Sequence, residues 1–228
     1  MRSGFSALMP RAPIGTPSPP DKAEAIALFG PTVSRETWER LSHLVDLLVS
    51  WQRSRNLVAS STIPQVWTRH VADSLQLLPL VPNAGRWVDL GSGGGFPGLV
   101  IACALTGQPT AEVHLVESVQ KKAAFLRAAA TELSLPAIVH AARIEDFVAA
   151  TTEQFNVVTA RALAPLDRLI GYAIPLLKRG AVGLFPKGQD VEAELTQAAK
   201  SWTIDVDLVP SRTDPRSRIV RVWRATKR

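Results

Sequence analysis

Between residues 86 and 200, short apolar runs of β-strand character alternate with longer segments of helical pattern. The strand–helix pair occurs five times, and two strand-like segments follow at residues 202–209 and 217–225. Such alternation gives parallel strands in one sheet with helices packed on it, because each helix returns the chain to the edge where the next strand begins. We therefore predict an α/β fold with a doubly wound, Rossmann-like sheet whose last strands are antiparallel.

A helical pattern precedes the alternation. Trp38, Leu41, Val45 and Leu48 are spaced by three or four residues, so they share one face of a helix that we predict over residues 34–52. Pro64 suits the first turn of a second helix, because the amide hydrogen that proline lacks has no helical partner there. We expect this helix to reach about Leu78. The predicted organisation is a helical N-terminal extension over residues 22–82 and a sheet domain over residues 83–228.

The first 21 residues differ in composition from the rest of the chain. Five prolines and two glycines lie within the first twenty residues, which is typical of a disordered tail. The tail lacks the apolar region of a secretory signal, and no apolar run approaches the ~18–20 residues of a membrane span. The single cysteine, Cys103, excludes an internal disulfide and a cysteine-rich zinc site. We expect a soluble, cytoplasmic protein without a metal.

The turn after the first strand of the alternation is rich in glycine. Residues 88–98 read VDLGSGGGFPG and contain five glycines. Gly93, Gly95 and Gly98 fit the G-x-G-x-x-G fingerprint of dinucleotide binding. Asp89 and the glycines that follow fit a D-x-G-x-G-x-G loop for S-adenosylmethionine. Open α/β sheets bind ligands at the carboxyl ends of their strands, so we predict a small-molecule site at this turn.

Asp89 favours S-adenosylmethionine over a dinucleotide. A carboxylate just before the glycines would add negative charge beside a pyrophosphate. S-adenosylmethionine has no phosphate and carries an ammonium and a sulfonium, so a carboxylate attracts it. Glu117, at the end of the second strand, does not discriminate, since a carboxylate there can bind the ribose hydroxyls of either cofactor.

The segment TARALAPL at residues 159–166 indicates which kind of atom receives the methyl group. It lacks the Asn/Asp-Pro-Pro-Tyr/Phe sequence expected for an exocyclic amine. Pyrimidine C5 chemistry needs a cysteine nucleophile, and Cys103 lies in an apolar helix. A target with its own lone pair remains; guanine N7 is one, and it requires no catalytic side chain. The net charge of +6 fits a nucleic-acid partner or merely a basic surface. A non-catalytic RNA- or nucleotide-binding protein on the same fold is the alternative.

Six segments then carry a specific resemblance. They are RHVADSL (69–75), VDLGSGGGFPG (88–98), VESVQKKAAFL (116–126), ARIE (142–145), TARALA (159–164) and FPKG (185–188). In this order they resemble the bacterial small-subunit ribosomal RNA guanine-N7 methyltransferase G family, also called the glucose-inhibited division protein B family, over about residues 38–187. The resemblance implies a class I S-adenosylmethionine-dependent methyltransferase. Its target would be a guanine N7 of 16S ribosomal RNA, near the decoding centre of the small ribosomal subunit.

The resemblance also implies cofactor contacts at Gly91, Phe96, Ile144, Glu145 and Arg161, the last of which could instead face the RNA. With the loop residues and Glu117 added, the predicted cofactor-binding set is Asp89, Gly91, Ser92, Gly93, Gly95, Phe96, Glu117, Ile144, Glu145 and Arg161. The predicted RNA-binding set is Arg53, Arg55, Arg69, His70, Asp73, Lys122 and Lys187.

Two features of these sets, and one departure from the family, stay open at the sequence level. Arg69 and Asp73 could pair with each other across one helix face. His70 could pack between the extension and the sheet domain instead of touching RNA. The family often has Trp-Asn where this chain has Trp51-Gln52.

Overall fold

The computed structural model describes residues 19–228. The extension contains α1 (Pro19–Phe29), α2 (Arg35–Gln52) and the short α3 (Asp73–Leu75), together with 3₁₀ turns at Gly30–Thr32, Ser60–Gln65 and Leu78–Leu80 and a π-helical turn at Trp67–Ala72. Helix α2 confirms the predicted amphipathic helix. It begins after Ser34, whose hydroxyl accepts the amide of Thr37 at 3.2 Å and so caps the first turn.

The predicted tail is too long at its C-terminal end. Residues 1–18 lie outside the described residues, but Pro19, Pro20 and Asp21 form the first turn of α1. Prolines fit there because their missing amide hydrogens have no helical acceptor. Asp21 is buried and accepts the amides of Trp67 and Thr68 at 2.8 and 3.0 Å, which fixes the helix against the rest of the extension.

The predicted helix from Pro64 to about Leu78 is not one continuous α-helix. Pro64 lies inside the 3₁₀ turn, and a π-helical turn and the three-residue α3 follow. The carboxylate of Asp21 explains why a new helical turn begins at Trp67: by accepting the amides of Trp67 and Thr68 it serves as a cap there, three residues after Pro64.

The sheet has seven strands. They are β1 (Arg86–Leu90), β2 (Glu112–Val116), β3 (Ala137–His140), β4 (Val157–Thr159), β5 (Val182–Lys187), β6 (Trp202–Pro210) and β7 (Arg218–Lys227). Their order is β3-β2-β1-β4-β5-β7-β6; the first five are parallel, and β7 is antiparallel to both β5 and β6. The predicted fold is confirmed. The strand order reverses between β1 and β4, so a crevice forms at their carboxyl ends.

Five helices join the strands. They are α4 (Gly98–Leu105), α5 (Gln120–Glu132), α6 (Ile144–Ala150), α7 (Leu166–Leu177) and α8 (Val191–Ala198). Apolar residues of α2, including Leu41 and Leu48, share one buried cluster with Leu99 of α4 and Phe125 of α5. The extension therefore covers the α4–α5 side of the sheet. Within residues 19–228, no helix combines the length and the apolar character that crossing a bilayer requires.

Candidate active site

A cavity of about 420 Å³ opens at the crevice between β1 and β4. Its walls are the glycine-rich loop, the ends of β2 and β4, the start of α6 and a short segment of the extension. The lining residues are Leu57, Val58, Gly91, Ser92, Gly93, Gly94, Phe96, Val116, Glu117, Ser118, Lys122, Ile144, Arg161, Ala162 and Leu163. The volume is that of a small-molecule site.

Asp89 is hydrogen-bonded to the end of the glycine-rich loop and does not line the cavity. Its side chain is buried, accepting the amide of Gly98 at 3.1 Å and the hydroxyl of Thr159 at 3.0 Å. Burial is the main reason why the pKa of Asp89 is raised to about 6. The hydrogen bonds act in the opposite direction and lower the pKa by a smaller amount. This placement differs from the direct contact with a cationic ligand that the sequence suggested.

The hydrogen bond between Asp89 and the amide of Gly98 indicates which ligand the loop can bind. Gly98 is the first residue of α4, and a dinucleotide fold presents its pyrophosphate to the amides of this helix end. Here the carboxylate of Asp89 already accepts the Gly98 amide. The geometry therefore favours a ligand without phosphate, for a reason more direct than the charge argument from sequence.

Glu117 lies at the carboxyl end of β2 and lines the cavity. Its two carboxylate oxygens accept the amides of Gly93 and Val119, at 2.9 and 2.7 Å. Each oxygen of an ionised carboxylate has a second lone-pair position, so Glu117 can also accept hydroxyl groups of a ligand. The same side chain thus joins the glycine-rich loop to β2 and offers acceptors for a ribose.

Gly91 requires the absence of a side chain. Its φ is +72°, and a Cβ there would lie 2.7 Å from Cδ1 of Leu163, on the opposite wall of the cavity. Gly93 has φ +55°, but a Cβ there would meet only a backbone oxygen at 3.7 Å. The loop therefore tolerates side-chain atoms less at Gly91 than at Gly93.

Arg161, directly after β4, connects the cavity to the extension. Its guanidinium donates to the carbonyl of Arg69 at 2.7 Å, to Asp73 at 3.2 Å and to Nδ1 of His70 at 2.6 Å. Asp73 therefore pairs with Arg161, and the possible pairing of Asp73 with Arg69 is wrong. Arg161 also lies over the ring of Phe96, with 5.7 Å between Cζ and the ring centroid.

His70 packs between the extension and the sheet domain, as one of its two interpretations proposed. Its ring stacks on Phe96 at a centroid distance of 4.9 Å. Burial, followed by the charges of Arg161 and Arg69, lowers the pKa of His70 to about 3, so the imidazole is neutral near pH 7. Because Nδ1 accepts from Arg161, the proton lies on Nε2, which donates to the Thr62 hydroxyl at 2.8 Å. Both ring nitrogens are thus engaged.

The structure brings together most of the predicted cofactor set and leaves three members outside the cavity. Asp89 lies below the loop, and Gly95 is buried at φ +90° beside Leu99 of α4. Glu145, in the first turn of α6, is exposed, while its neighbour Ile144 lines the cavity.

The predicted RNA set divides into separate places. Lys122 lines the cofactor cavity, and Arg69, Asp73 and Lys187 line a second cavity beside it. Lys187 is only 10% exposed and forms an ion pair of 2.7 Å with Glu194.

The two remaining members, Arg53 and Arg55, follow α2 and line neither of these cavities. The guanidinium of Arg55 lies over the ring of Trp51, with 5.4 Å between Cζ and the ring centroid.

Sequence reasoning missed the wall that the extension supplies. Leu57 and Val58 line the cavity, and Gln52 holds them: its Oε1 accepts both of their amides, and its Nε2 donates to the carbonyl of Val58 at 2.8 Å. The departure from the family at position 52 therefore keeps an amide side chain that shapes the cavity. Ala162 and Leu163 were also missed, although the TARALA segment that contains them carried a signal.

Comparison with known proteins gives consistent matches. The sequence model of the family described as GidB, rRNA small subunit methyltransferase G, matches residues 37–219. The protein named ribosomal RNA small subunit methyltransferase G of a Bradyrhizobium species is 58% identical over 202 residues, covering 89% of this chain and 90% of that protein.

Solved structures match in fold. An O-methyltransferase of Streptomyces achromogenes in complex with SAM superposes with a TM-score of 0.57 at 15% identity, covering 88% of this chain and 96% of that one. An O-methyltransferase of Bacillus cereus in complex with SAH gives a TM-score of 0.57 at 14% identity, with coverages of 88% and 97%. At these identities the likeness concerns the fold alone, which is that of the class I methyltransferases.

Proposed function

Because the chain belongs to the ribosomal RNA small subunit methyltransferase G family, we propose that it methylates the N7 atom of a guanine in 16S ribosomal RNA, near the decoding centre. S-adenosylmethionine is the methyl donor. The observation that carries the proposal is the cavity at the β1–β4 crevice, where the glycine-rich loop, Glu117 and Arg161 meet.

The residues of the cavity suit this donor. Glu117 offers acceptors for the ribose hydroxyls, and Ile144 offers an apolar surface for the adenine. Lys122 and Arg161 supply positive charge for the carboxylate of the methionine part. When bound, S-adenosylmethionine supplies an electrophilic methyl group to a nucleophile that approaches in line with its carbon–sulfur bond.

The side chains near the cavity fit a reaction without a general base. Guanine N7 is unprotonated near pH 7 and attacks with its own lone pair. His70 is neutral with both nitrogens engaged, and Asp73 is bound to Arg161. The protein's contribution is then to align the two reactants, which can supply most of the rate.

Two measurements test the proposal. Labelled-methyl transfer to small ribosomal subunits from cells that lack the protein should yield 7-methylguanosine at one position of 16S ribosomal RNA. Calorimetry should detect binding of S-adenosylmethionine and none of NAD. Methylation at another atom, or binding of NAD without S-adenosylmethionine, would contradict it.

A pH series examines the mechanism separately. Single-turnover rates of wild type and His70→Ala between pH 6 and 9 should run parallel, with a moderate loss in the variant from poorer RNA positioning. A titrating limb that disappears in the variant, together with a loss of about 10²–10⁴-fold, would identify His70 as a general base.

A further inference from the structure

A second cavity, of about 350 Å³, adjoins the cofactor cavity at the carboxyl ends of β4 and β5. Arg161 and Ala162 line both cavities and form the wall between them. The opposite side consists of the extension, through Arg69, and of the loop that joins β6 to β7, through Ser211 and Ser217. A nucleotide bound across this wall would occupy both cavities at once.

The charges around the second cavity do not cancel. Its lining contains Arg69, Arg161, Lys187 and Arg218 as cations, and Asp73 and Glu194 as anions. Each carboxylate already has a partner: Asp73 is paired with Arg161, and Glu194 with Lys187. Within this lining the charges of Arg69 and Arg218 are left in excess, although Arg69 also attracts the carboxylate of Asp214, which lies outside it.

These two arginines keep donors available. Among residues 19–228, the guanidinium of Arg69 has no hydrogen-bond or ion-pair partner. Arg218 donates through Nη1 to the carbonyls of Pro215 and Ser217, at 2.7 and 2.8 Å, and both acceptors are uncharged. Its Nη2 and Nε groups retain their hydrogens, so the guanidinium can still donate to an anion.

The surroundings favour a phosphate over a base. The residues that line the second cavity include no aromatic side chain on which a base could stack. A third cavity next to it is lined by the carboxylates of Glu24, Asp73 and Asp214 against the guanidinia of Arg69 and Arg161, so its charge balance repels an anion.

We propose that the second cavity binds a phosphate of the RNA backbone beside the target guanine, through Arg69 and Arg218. The inference rests on the proposed function, since the RNA is its substrate. Arginine donates parallel charge-assisted hydrogen bonds to phosphate oxygens, which fixes position as well as adding affinity. The base then enters the cofactor cavity while its backbone is held across the wall of Arg161 and Ala162.

Arg218→Gln and Arg69→Gln test this assignment. Both replace a guanidinium by an uncharged amide, and neither residue lines the cofactor cavity. Arg224→Gln is the matched control, because Arg224 lies on the same strand but toward its other end: in the strand register Arg224 is opposite Asp205 of β6, whereas Arg218 is opposite Lys187 of β5. The measurement is the affinity for small ribosomal subunits from cells lacking the protein, at several salt concentrations.

Each cavity variant should lower the slope of log affinity against log salt by about 0.7–0.9, the value of one phosphate contact, and Arg224→Gln should leave it unchanged. Between 50 and 200 mM salt, that difference is about threefold in affinity per arginine. Arg218→Lys should restore the slope but not the full affinity, since lysine keeps the charge without the two-pronged geometry. Calorimetric affinity for S-adenosylmethionine should not change.

Slopes equal to wild type in both variants, with normal methyl transfer by the wild type, would overturn the phosphate site and leave the proposed function intact. The reverse pattern, reduced slopes without any methyl transfer by the wild type, would keep the anion site and overturn the function. An equal loss in Arg224→Gln would show that the effect is general surface charge and would also overturn the site.

Discussion

Asp89 shows that one residue can identify a ligand without contacting it. From the sequence, its carboxylate was expected beside a cationic group of the ligand. In the structure it is 1% exposed and holds the first amide of α4, where a pyrophosphate would otherwise bind. The choice of S-adenosylmethionine could be predicted from the sequence because residue type and position were enough; the hydrogen bond to Gly98 could not, since it depends on how the loop turns.

The burial of Asp89 predicts a pH-dependent stability. Its pKa of about 6 in the folded protein exceeds the ordinary value of 3.8, so between these values the unfolded chain loses the proton first. The contribution to the free energy of unfolding is therefore fully present below pH 3.8 and lost as the pH rises through 6. Asp89→Asn abolishes this titration. From about pH 4.5 to pH 7.5, wild type should lose about 2 kcal/mol relative to the variant in urea unfolding.

The control for this measurement is Asp46→Asn. Asp46 is exposed on α2, far in sequence from the loop, and the variant keeps the Asp89 carboxyl, so it should lose stability over this pH range as wild type does. A difference between wild type and Asp89→Asn that stays constant with pH would show that the carboxyl of Asp89 keeps an ordinary pKa.

Gly91 supplies a second prediction at the residue scale. In Gly91→Ala the new Cβ combines a left-handed backbone with a close approach to Leu163, so either the loop or the Leu163 side chain must move, and both border the cavity. The affinity for S-adenosylmethionine, measured by calorimetry, should fall at least about tenfold, equivalent to about 1.4 kcal/mol.

Gly107→Ala is the matched control. Gly107 also has a left-handed backbone, at φ +94°, but a Cβ there meets nothing within 4 Å. Both variants should lose about 1–2 kcal/mol of stability from backbone strain, whereas only Gly91→Ala should lose cofactor affinity. Equal affinities in the two variants would mean that the loop does not form the cofactor site.

At the scale of elements, the sequence predicted what is local and missed what depends on distant contacts. The strands and helices after residue 86 follow from periodicity and turn residues. The segment around Pro64 does not, because its conformation depends on Asp21, 46 residues before Trp67. Likewise the pair of Asp73 and Arg161 joins residues 88 apart, and no spacing rule connects them.

Lys187 and Glu194 connect the loop between β4 and α7 to strand β5 and helix α8. The Nζ of Lys187 donates to the carbonyl of Ala164, and Glu194 accepts both this ammonium and the amide of Leu166, each at 2.7 Å. These contacts hold the loop between β4 and α7, which includes Arg161, against β5 and α8. The structure thus gives Lys187 a structural task, where the sequence suggested an RNA contact.

Lys187→Met should therefore reduce stability more than RNA binding. Removing one partner of a largely buried ion pair leaves the other charge uncompensated, and with Glu194 27% exposed we expect a loss of about 2–3 kcal/mol in urea unfolding. The salt dependence of RNA affinity should stay as in wild type, because Glu194 already neutralises Lys187. Lys178→Met, an exposed lysine after α7, should cost under about 0.5 kcal/mol. If Lys187→Met instead lowers the slope of log affinity against log salt and keeps normal stability, the predicted RNA contact of Lys187 would be supported.

At the scale of the whole molecule, the extension and the sheet domain share their core. The cluster that contains Leu41, Leu44 and Leu48 of α2 also contains Leu99, Phe125 and Ile219 of the sheet domain. Gln76 adds polar contacts, since its Oε1 accepts the amide of Arg212 at 2.9 Å, in the loop between β6 and β7. The boundary predicted near residue 82 therefore marks a change in sequence pattern, but one hydrophobic core includes residues from both sides of it.

A shared core predicts that the two parts unfold together and respond together to the cofactor. Amides of α2 and of β1 should exchange hydrogen with the same free energy of opening, measured by mass spectrometry. S-adenosylmethionine at about 100 times its dissociation constant should raise that free energy by about 2.7 kcal/mol in both elements, because it binds only the folded chain. For a chain of this length the melting temperature should rise by about 5–10 °C, and NAD should leave both quantities unchanged. Faster exchange in α2, with no response to the cofactor, would show that the extension opens by itself. Cofactor binding would then have to survive without one wall of the cavity, because that wall is formed by Leu57 and Val58 of the extension.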